Sequence, residues 1–232
     1  MPAVPSVLFA VCLTACGGND AAPQASNQQP PPARSSAPET DAPQRPRIVA
    51  LGDSLTAGLG VLENQAYPAL LQQKLDAEGY PFEVVNAGVS GDTSAGGLRR
   101  LDWALEEGEV RVLIVALGAN DGLRGLSAAD MKRNLEQIIQ HAKEKNIVVI
   151  LAGMEAPPNY GPEYTASFRR VFQDVAREQR VLFLPFLLSN VAGDPALNQG
   201  DGIHPNPQGA AVIADSLWKV LRPVLDQMSA AS

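Results

Sequence analysis

Short apolar runs alternate with amphipathic stretches along residues 47–225. Five β-branched runs have the length of buried strands and read RIVAL, FEVVN, VRVLIVAL, IVVILA and VLFLP. Continuous apolar runs of this kind are typical of parallel strands that are covered on both faces. The alternation of strand and helix, repeated to a last helix around residues 210–221, predicts a three-layer α/β domain with a mainly parallel sheet.

The stretch SAADMKRNLEQIIQHAKEKN has the clearest helical periodicity. Its apolar positions fall on one helical face: Met131, Leu135, Ile138 and Ala142. Ser127 and Asp130 have the spacing of a capping box at the start of this helix. We expect His141 at the surface or at a groove edge, without a catalytic role.

The N-terminal fifteen residues have the pattern of an export signal. The apolar run from Val4 to Ala15 is too short to span a bilayer but is long enough for a signal-peptide core. It ends in Leu-Thr-Ala-Cys, which resembles the bacterial lipobox, in which the cysteine (here Cys16) is lipidated and becomes the mature N-terminus. No Lys or Arg precedes the run, and a buried strand with a chance cysteine is the alternative interpretation.

Residues 16–46 are predicted to form the lipidated N-terminus and a disordered tether, which leaves residues 47–232 as the folded domain. This segment is rich in Pro, Ala, Ser and Gln and has almost no large apolar side chains, so it cannot compensate for the entropy lost on folding. As a loose coil its ends would lie about 30 Å apart. Because Gly17 rather than an aspartate follows the lipobox cysteine, the pattern implies the outer membrane, facing the periplasm, in a bacterial cell envelope.

Composition limits the partners that the protein can have. The net charge is −7 and no Lys/Arg cluster occurs, which excludes nucleic acid as an expected partner. The only cysteines are Cys12 and Cys16, so the mature chain cannot form an internal disulfide. No His/Cys/carboxylate cluster has metal-ligand spacing, so we expect no metal. We also expect no cofactor and a monomeric protein.

Four loops rich in glycine and small polar residues follow the predicted strands or precede the last helix. They read LGDSLTAGLG, NAGVSGDTSAGG, LGANDGLRG and DGIHPNPQG. In open parallel sheets, functional groups gather in loops just past the carboxyl ends of the strands. The sequence therefore predicts a site at this edge of the sheet.

Ser54, His204 and Asp201 are the candidates for acid–base and nucleophilic chemistry. A serine hydroxyl needs an imidazole to remove its proton, and the imidazole needs a carboxylate to fix its tautomer. Asp201 lies three residues before His204, and the loop between them can turn both side chains the same way. The alternatives are that Ser54 only caps a helix and that Asp201 only caps the last helix. The surrounding sequence matches neither the G-x-S-x-G elbow nor a dinucleotide-binding or phosphate-binding loop.

Acyl transfer also requires hydrogen-bond donors for a tetrahedral oxyanion. The backbone N–H groups of Ser54 and Gly91 and the side-chain amide of Asn120 are the candidates. An asparagine in a turn often has only a structural role, so Asn120 by itself is weak evidence for an oxyanion hole.

Four ordered blocks resemble those of the SGNH (GDSL) hydrolases. They are Gly-Asp-Ser-Leu at 52–55, Gly91, Asn120 within Gly-Ala-Asn-Asp, and Asp201-x-x-His204. The likeness covers roughly residues 47–225 and is strongest to the bacterial thioesterase I/lysophospholipase L1 and arylesterase subgroup. Ala119 departs from the glycine that is common there.

The resemblance implies a flavodoxin-like three-layer sandwich with a mainly parallel five-stranded sheet. It also implies that Ser54 is the nucleophile, His204 the base and Asp201 its partner, with oxyanion donors at Ser54, Gly91 and Asn120. The expected activity is hydrolysis of acyl esters (aryl esters, lysophospholipids and, as a further class, thioesters) through an acyl-enzyme. We expect small-molecule or lipid esters to contact Asp53, Leu123, Pro158 and Ile203. A polysaccharide O-acetyl esterase and a non-catalytic ligand-binding lipoprotein are the alternatives.

Overall fold

A computed structural model describes residues 45–106 and 108–230. The predicted signal peptide, the lipobox and nearly all of the predicted tether lie outside the described residues. Five strands form one sheet in the order β2-β1-β3-β4-β5, and every neighbouring pair is parallel. The strands are β1 Arg47–Gly52, β2 Glu83–Gly88, β3 Val110–Ala116, β4 Val148–Ala152 and β5 Leu182–Leu184.

Helices cover both faces of this sheet. One layer contains α2 packed against α8, and the other contains α6 with α3 and α7 each packed against it. The predicted α/β sandwich is confirmed, and the sheet is parallel throughout. No helix in residues 45–106 or 108–230 is both long and apolar enough to cross a membrane. The α-helices are α1 Ser54–Ala57, α2 Tyr67–Glu78, α3 Ser94–Arg99, α4 Leu101–Glu106, α5 Ala119–Leu123, α6 Ala128–Glu144, α7 Pro162–Gln179 and α8 Pro207–Ala230, with 3₁₀ turns at Glu63–Gln65 and Pro158–Tyr160.

Helix α6 matches the predicted amphipathic stretch. All four apolar residues of its predicted face are buried. The Ser127 hydroxyl accepts the backbone N–H of Asp130, as predicted, whereas the Asp130 carboxylate contacts Arg133. On the same helix, His141 is partly exposed, and its Nε2 lies 2.7 Å from Asp102 Oδ1.

Helix α8 is longer at both ends than the predicted range of 210–221. It begins at Pro207, whose missing N–H costs nothing in the first turn, and Asn206 Oδ1 accepts the N–H groups of Gln208 and Gly209. It continues through Pro223, which removes one helical hydrogen bond. The buried residues on both sides of this proline, Leu221, Val224 and Leu225 among them, hold the helix against the core despite that loss.

Close approach between β1, β2 and α1 positions the first site loop. A Cβ on Gly52 would lie 1.9 Å from Thr56 Oγ1, and one on Gly88 would lie 2.2 Å from the backbone nitrogen of Ala57. Only glycine fits at either strand end. As a result α1 is pressed against the carboxyl edge of the sheet.

Candidate active site

Ser54 is the first residue of α1 and follows β1 after a single residue. The helix is capped by Asp53 instead, because Asp53 Oδ1 accepts the N–H of Leu55 at 3.0 Å. A helix-capping role therefore belongs to Asp53, and the Ser54 hydroxyl is available for other contacts.

The structure brings Ser54, His204 and Asp201 together in the predicted order. Ser54 Oγ lies 2.9 Å from His204 Nε2, and His204 Nδ1 lies 2.7 Å from Asp201 Oδ2. Asp201 Oδ1 accepts the backbone N–H groups of Ile203 and His204. The contact with the His204 ring, followed by these two N–H bonds, holds the pKa of the Asp201 carboxyl well below its usual range. An ionised carboxylate at Nδ1 leaves Nε2 free to accept a proton from the serine.

The loop before α8 is held by Gln199. Its backbone N–H donates to His204 O at 2.8 Å, and its side-chain amide donates to Leu59 O and Pro205 O. Gly202 allows the tight turn between acid and base because its φ is +71°. These bonds fix the loop that carries the imidazole to the segment that follows Ser54.

Two side chains at α5 hold the loop that contains Gly91. Asn120 Nδ2 donates to Asp92 O at 2.9 Å and lies 3.4 Å from Asp53 Oδ2. Four residues later, Arg124 Nη2 donates to Gly91 O at 2.8 Å. The structure thus connects Asn120 both to the Gly91 loop and to the residue that precedes Ser54, so that the predicted oxyanion donors come from neighbouring segments.

Arg100 was missed by the sequence reasoning and joins the same segments. Its side chain is only 17% exposed. Nε donates to Asp92 Oδ2 at 2.6 Å. Nη1 donates to Ala87 O and Nη2 donates to Gly52 O, both at 2.8 Å. The guanidinium therefore ties the ends of β1 and β2 to the Gly91 loop. Nothing local in the sequence distinguishes this arginine from the exposed Arg99 that precedes it.

Asp121, in the segment after β3, is a second residue near the site that the sequence reasoning did not identify. It is buried and accepts both the N–H and the hydroxyl of Ser94, at 2.8 and 2.6 Å. Asn134 in turn donates to the Ser94 hydroxyl. This network anchors the loop after β3 to the first turn of α3.

Asp53 is 1% exposed, and burial raises the pKa of its carboxyl to about 6. The N–H of Leu55, the charge of His204 and the Asn120 amide act in the opposite direction without cancelling the effect of burial. Asp53 is thus an ionisable group enclosed next to the nucleophile, at a position predicted to contact substrate.

An apolar groove of about 660 Å³ opens at Ser54 and His204. Three of the predicted substrate contacts, Leu123, Pro158 and Ile203, line it, whereas Asp53 is enclosed at the start of α1. Glu155 is the charged side chain on its wall, and it pairs with Arg169 at 3.1 Å. Other apolar residues complete the walls, including Leu55, Met154, Pro157, Phe186 and Leu188.

Comparisons with known proteins agree with this geometry. The family model described as the GDSL-like Lipase/Acylhydrolase family matches residues 50–212. Esterase TesA of Pseudomonas aeruginosa is 42% identical over 178 residues, which cover 77% of this chain and 89% of that protein. The thioesterase 1/protease 1/lysophospholipase L1 of Escherichia coli K12 is 40% identical over 182 residues, covering 78% and 86%.

Solved structures give the same result. The crystal structure of the psychrotrophic esterase EstA from Pseudoalteromonas sp., inhibited by monoethylphosphonate, superposes with a TM-score of 0.74 at 36% identity. The match covers 78% of this chain and 98% of that one. The resemblance seen in the four sequence blocks is confirmed: the chain is a hydrolase of the SGNH type and belongs to the GDSL-like lipase/acylhydrolase family.

Proposed function

We propose that this hydrolase cleaves acyl esters through an acyl-enzyme formed on Ser54. The observation that carries the proposal is the continuous contact from Ser54 Oγ through His204 to Asp201, located at the mouth of an apolar groove. Esterase, thioesterase and lysophospholipase activities named for its relatives support the same reaction class. A decayed ligand-binding lipoprotein would have no need to keep this arrangement aligned.

In the proposed reaction, His204 Nε2 takes the hydroxyl proton as Ser54 Oγ bonds to the substrate carbonyl carbon. The negative charge moves to the carbonyl oxygen, where the N–H groups of Ser54 and Gly91 and the Asn120 amide stabilise it. The imidazolium, stabilised by Asp201, then protonates the leaving alcohol as its bond to the carbonyl carbon breaks. Water, deprotonated by the same imidazole, hydrolyses the acyl-serine and regenerates the hydroxyl.

The groove favours esters with acyl chains longer than acetate. A wall of apolar side chains extends away from Ser54, and a cavity of about 660 Å³ is far larger than an acetyl group requires. Aryl esters and lysophospholipids fit this description, with thioesters as a further class. An O-acetyl esterase acting on polysaccharide would leave most of the groove unfilled.

Hydrolysis of p-nitrophenyl esters from acetate to dodecanoate tests the proposal. We expect kcat/KM to rise beyond acetate, with a burst of p-nitrophenol under pre-steady-state conditions. Ser54→Ala should lower kcat by about 10⁴-fold or more. Ser216→Ala, which removes a hydroxyl on α8 that donates to Val212 O, is the matched control.

Three other outcomes would contradict the proposal. An acetate-only profile would favour the O-acetyl esterase. A folded protein without turnover would favour the ligand-binding lipoprotein, and full activity in Ser54→Ala would remove Ser54 from the mechanism.

We also propose that the enzyme is a monomer anchored by lipid on Cys16 in the bacterial envelope, at the periplasmic face of the outer membrane. The apolar run that ends in Leu-Thr-Ala-Cys supports this location. Cys16→Ser should abolish labelling by radioactive palmitate and should release the protein from the membrane fraction. Cys12→Ser is the matched control, and a Cys16→Ser protein that pellets like wild type would refute the anchor.

A further inference from the structure

Exposed large apolar side chains are concentrated around the active site. Of nine such residues in the described part of the chain, seven lie in the loops and short helical turns at the carboxyl edge of the sheet. We call these seven the apolar rim: Leu59, Leu62, Val89, Leu123, Leu126, Tyr160 and Ile203. The other two, Trp103 and Leu182, lie on α4 and at the first residue of β5, away from that edge.

The rim is continuous with the entrance of the groove. Leu123 and Ile203 line the groove together with Ser54. On the other side of the nucleophile, Leu59 borders a small cavity that also contacts Ser54 and His204. Apolar side chains therefore flank the nucleophile on both sides.

Hydrogen bonds hold the segments of Tyr160, Leu126 and Val89 close to the same entrance. Tyr160 Oη donates to Leu123 O, and Tyr164 Oη donates to Leu126 O, both at 2.8 Å. The N–H of Val89 donates to Gly52 O at 3.0 Å, next to the turn that carries the nucleophile. Exposed apolar side chains that surround a ligand groove in this way are typical of a surface that binds another apolar phase.

The charges near the rim favour a lipid surface without net charge. Arg124 donates to Gly91 O, and Glu155 is paired with Arg169. The whole chain carries a net charge of −7, which an anionic membrane would repel. Attraction to such a surface must therefore come from burial of apolar area rather than from basic residues.

We propose that the apolar rim inserts into a zwitterionic lipid surface, such as phosphatidylcholine, while the enzyme acts on it. An acyl chain then passes from the lipid layer into the groove without crossing water. This inference rests on the proposed ester hydrolysis and adds the physical state of the substrate. Three rim residues that line no site cavity, Leu62, Val89 and Leu126, test it without altering the groove.

Vesicle flotation measures the binding directly. Full-length chains that carry Ser54→Ala and Cys16→Ser are mixed with phosphatidylcholine vesicles, so that neither hydrolysis nor the anchor contributes. Adding Leu62→Ser, Val89→Ser and Leu126→Ser should lower the partition coefficient about tenfold or more, since three apolar side chains no longer enter the lipid. The matched control, Trp103→Ser with Leu182→Ser, should bind like the parent chain, because these two exposed apolar residues lie outside the rim. All chains have the same N-terminus, so any contribution from it cancels in the comparison.

Kinetics separate this inference from the proposed function. With Ser54 restored, the rim variant should hydrolyse soluble p-nitrophenyl butyrate within about twofold of wild type but micellar lysophosphatidylcholine about tenfold more slowly. Equal vesicle binding by rim and control variants would overturn the inference, as would binding that requires phosphatidylglycerol. Failure of the wild type to hydrolyse the soluble ester would instead overturn the proposed function.

Discussion

Replacing Asp53 by asparagine should stabilise the fold more at pH 8 than at pH 4. The carboxyl is enclosed, and its pKa is raised by burial to about 6. In the unfolded chain an aspartate titrates near 3.9. Between these values the native state binds the proton and the unfolded chain does not, so the free energy of unfolding falls as pH rises from about 4 to 6.

The size of this effect follows from the two pKa values. A difference of about 2 corresponds to about 3 kcal/mol, which the ionised carboxylate costs the native state above pH 6. Asparagine keeps an oxygen that can accept the N–H of Leu55 and does not titrate. Any constant effect of the substitution on packing or on the Asn120 contact cancels when the two pH values are compared.

Urea unfolding of wild type and Asp53→Asn between pH 4 and pH 8 measures this difference. The free energy of unfolding of the variant minus that of wild type should increase by about 2.4 kcal/mol from pH 4 to pH 8, because the unfolded aspartate is already about half ionised at pH 4. Asp215→Asn, at an exposed ion pair with Lys74, is the control and should show a change below about 0.5 kcal/mol. A difference for Asp53→Asn that is independent of pH would refute the assigned burial of an ionised carboxylate.

Three further substitutions test the site. Asn120→Ala should lower kcat by about 10²–10³ with little change in KM in a p-nitrophenyl ester assay, because an oxyanion donor acts on charge that develops in the transition state. Asp201→Asn should lower kcat by about 10⁴ in the same assay, whereas His141→Gln should not affect it. Arg100→Gln should lower the free energy of unfolding in urea by about 3 kcal/mol, because it leaves Asp92 without its partly buried partner.

Each of these predictions would be contradicted by a specific result. A near-normal kcat in Asn120→Ala or Asp201→Asn would remove that residue from the mechanism, and a loss of activity in His141→Gln would show that the wrong histidine was assigned. Wild-type stability of Arg100→Gln would show that the guanidinium does not hold the strand ends together.

The sheet and the site loops could be predicted because their signals are local. Apolar runs identified all five strands, and the small polar residues after them identified the edge at which Ser54 and His204 meet. The extent of α8 could not be predicted in the same way. Pro223 is a local signal for ending a helix, and tertiary packing of the residues around it overrides that signal.

Long-range polar contacts explain what the sequence reasoning missed. Arg100 is joined to Gly52, 48 residues away, and its three acceptors become neighbours only when β1 and β2 pair. Asp53 is predicted from the sequence to contact substrate, whereas the structure encloses it at the start of α1. This burial depends on the packing of α1 against the sheet, which the sequence of the loop alone does not predict.

Because Asp201 and His204 are only three residues apart, the proposed acid–base pair is carried by one short segment of the chain. Acid and base lie on one loop whose bonds are mostly internal, and the serine is reached across 150 residues of sequence by a single contact. The nucleophile and the proposed oxyanion donors lie in the segments that follow β1, β2 and β3. Recombination between relatives at the loop before Gln199 would therefore exchange one segment that contains both the acid–base pair and α8. Such chimaeras would inherit the groove's wall after β3 and β4 from one parent and the proton-transfer chemistry from the other.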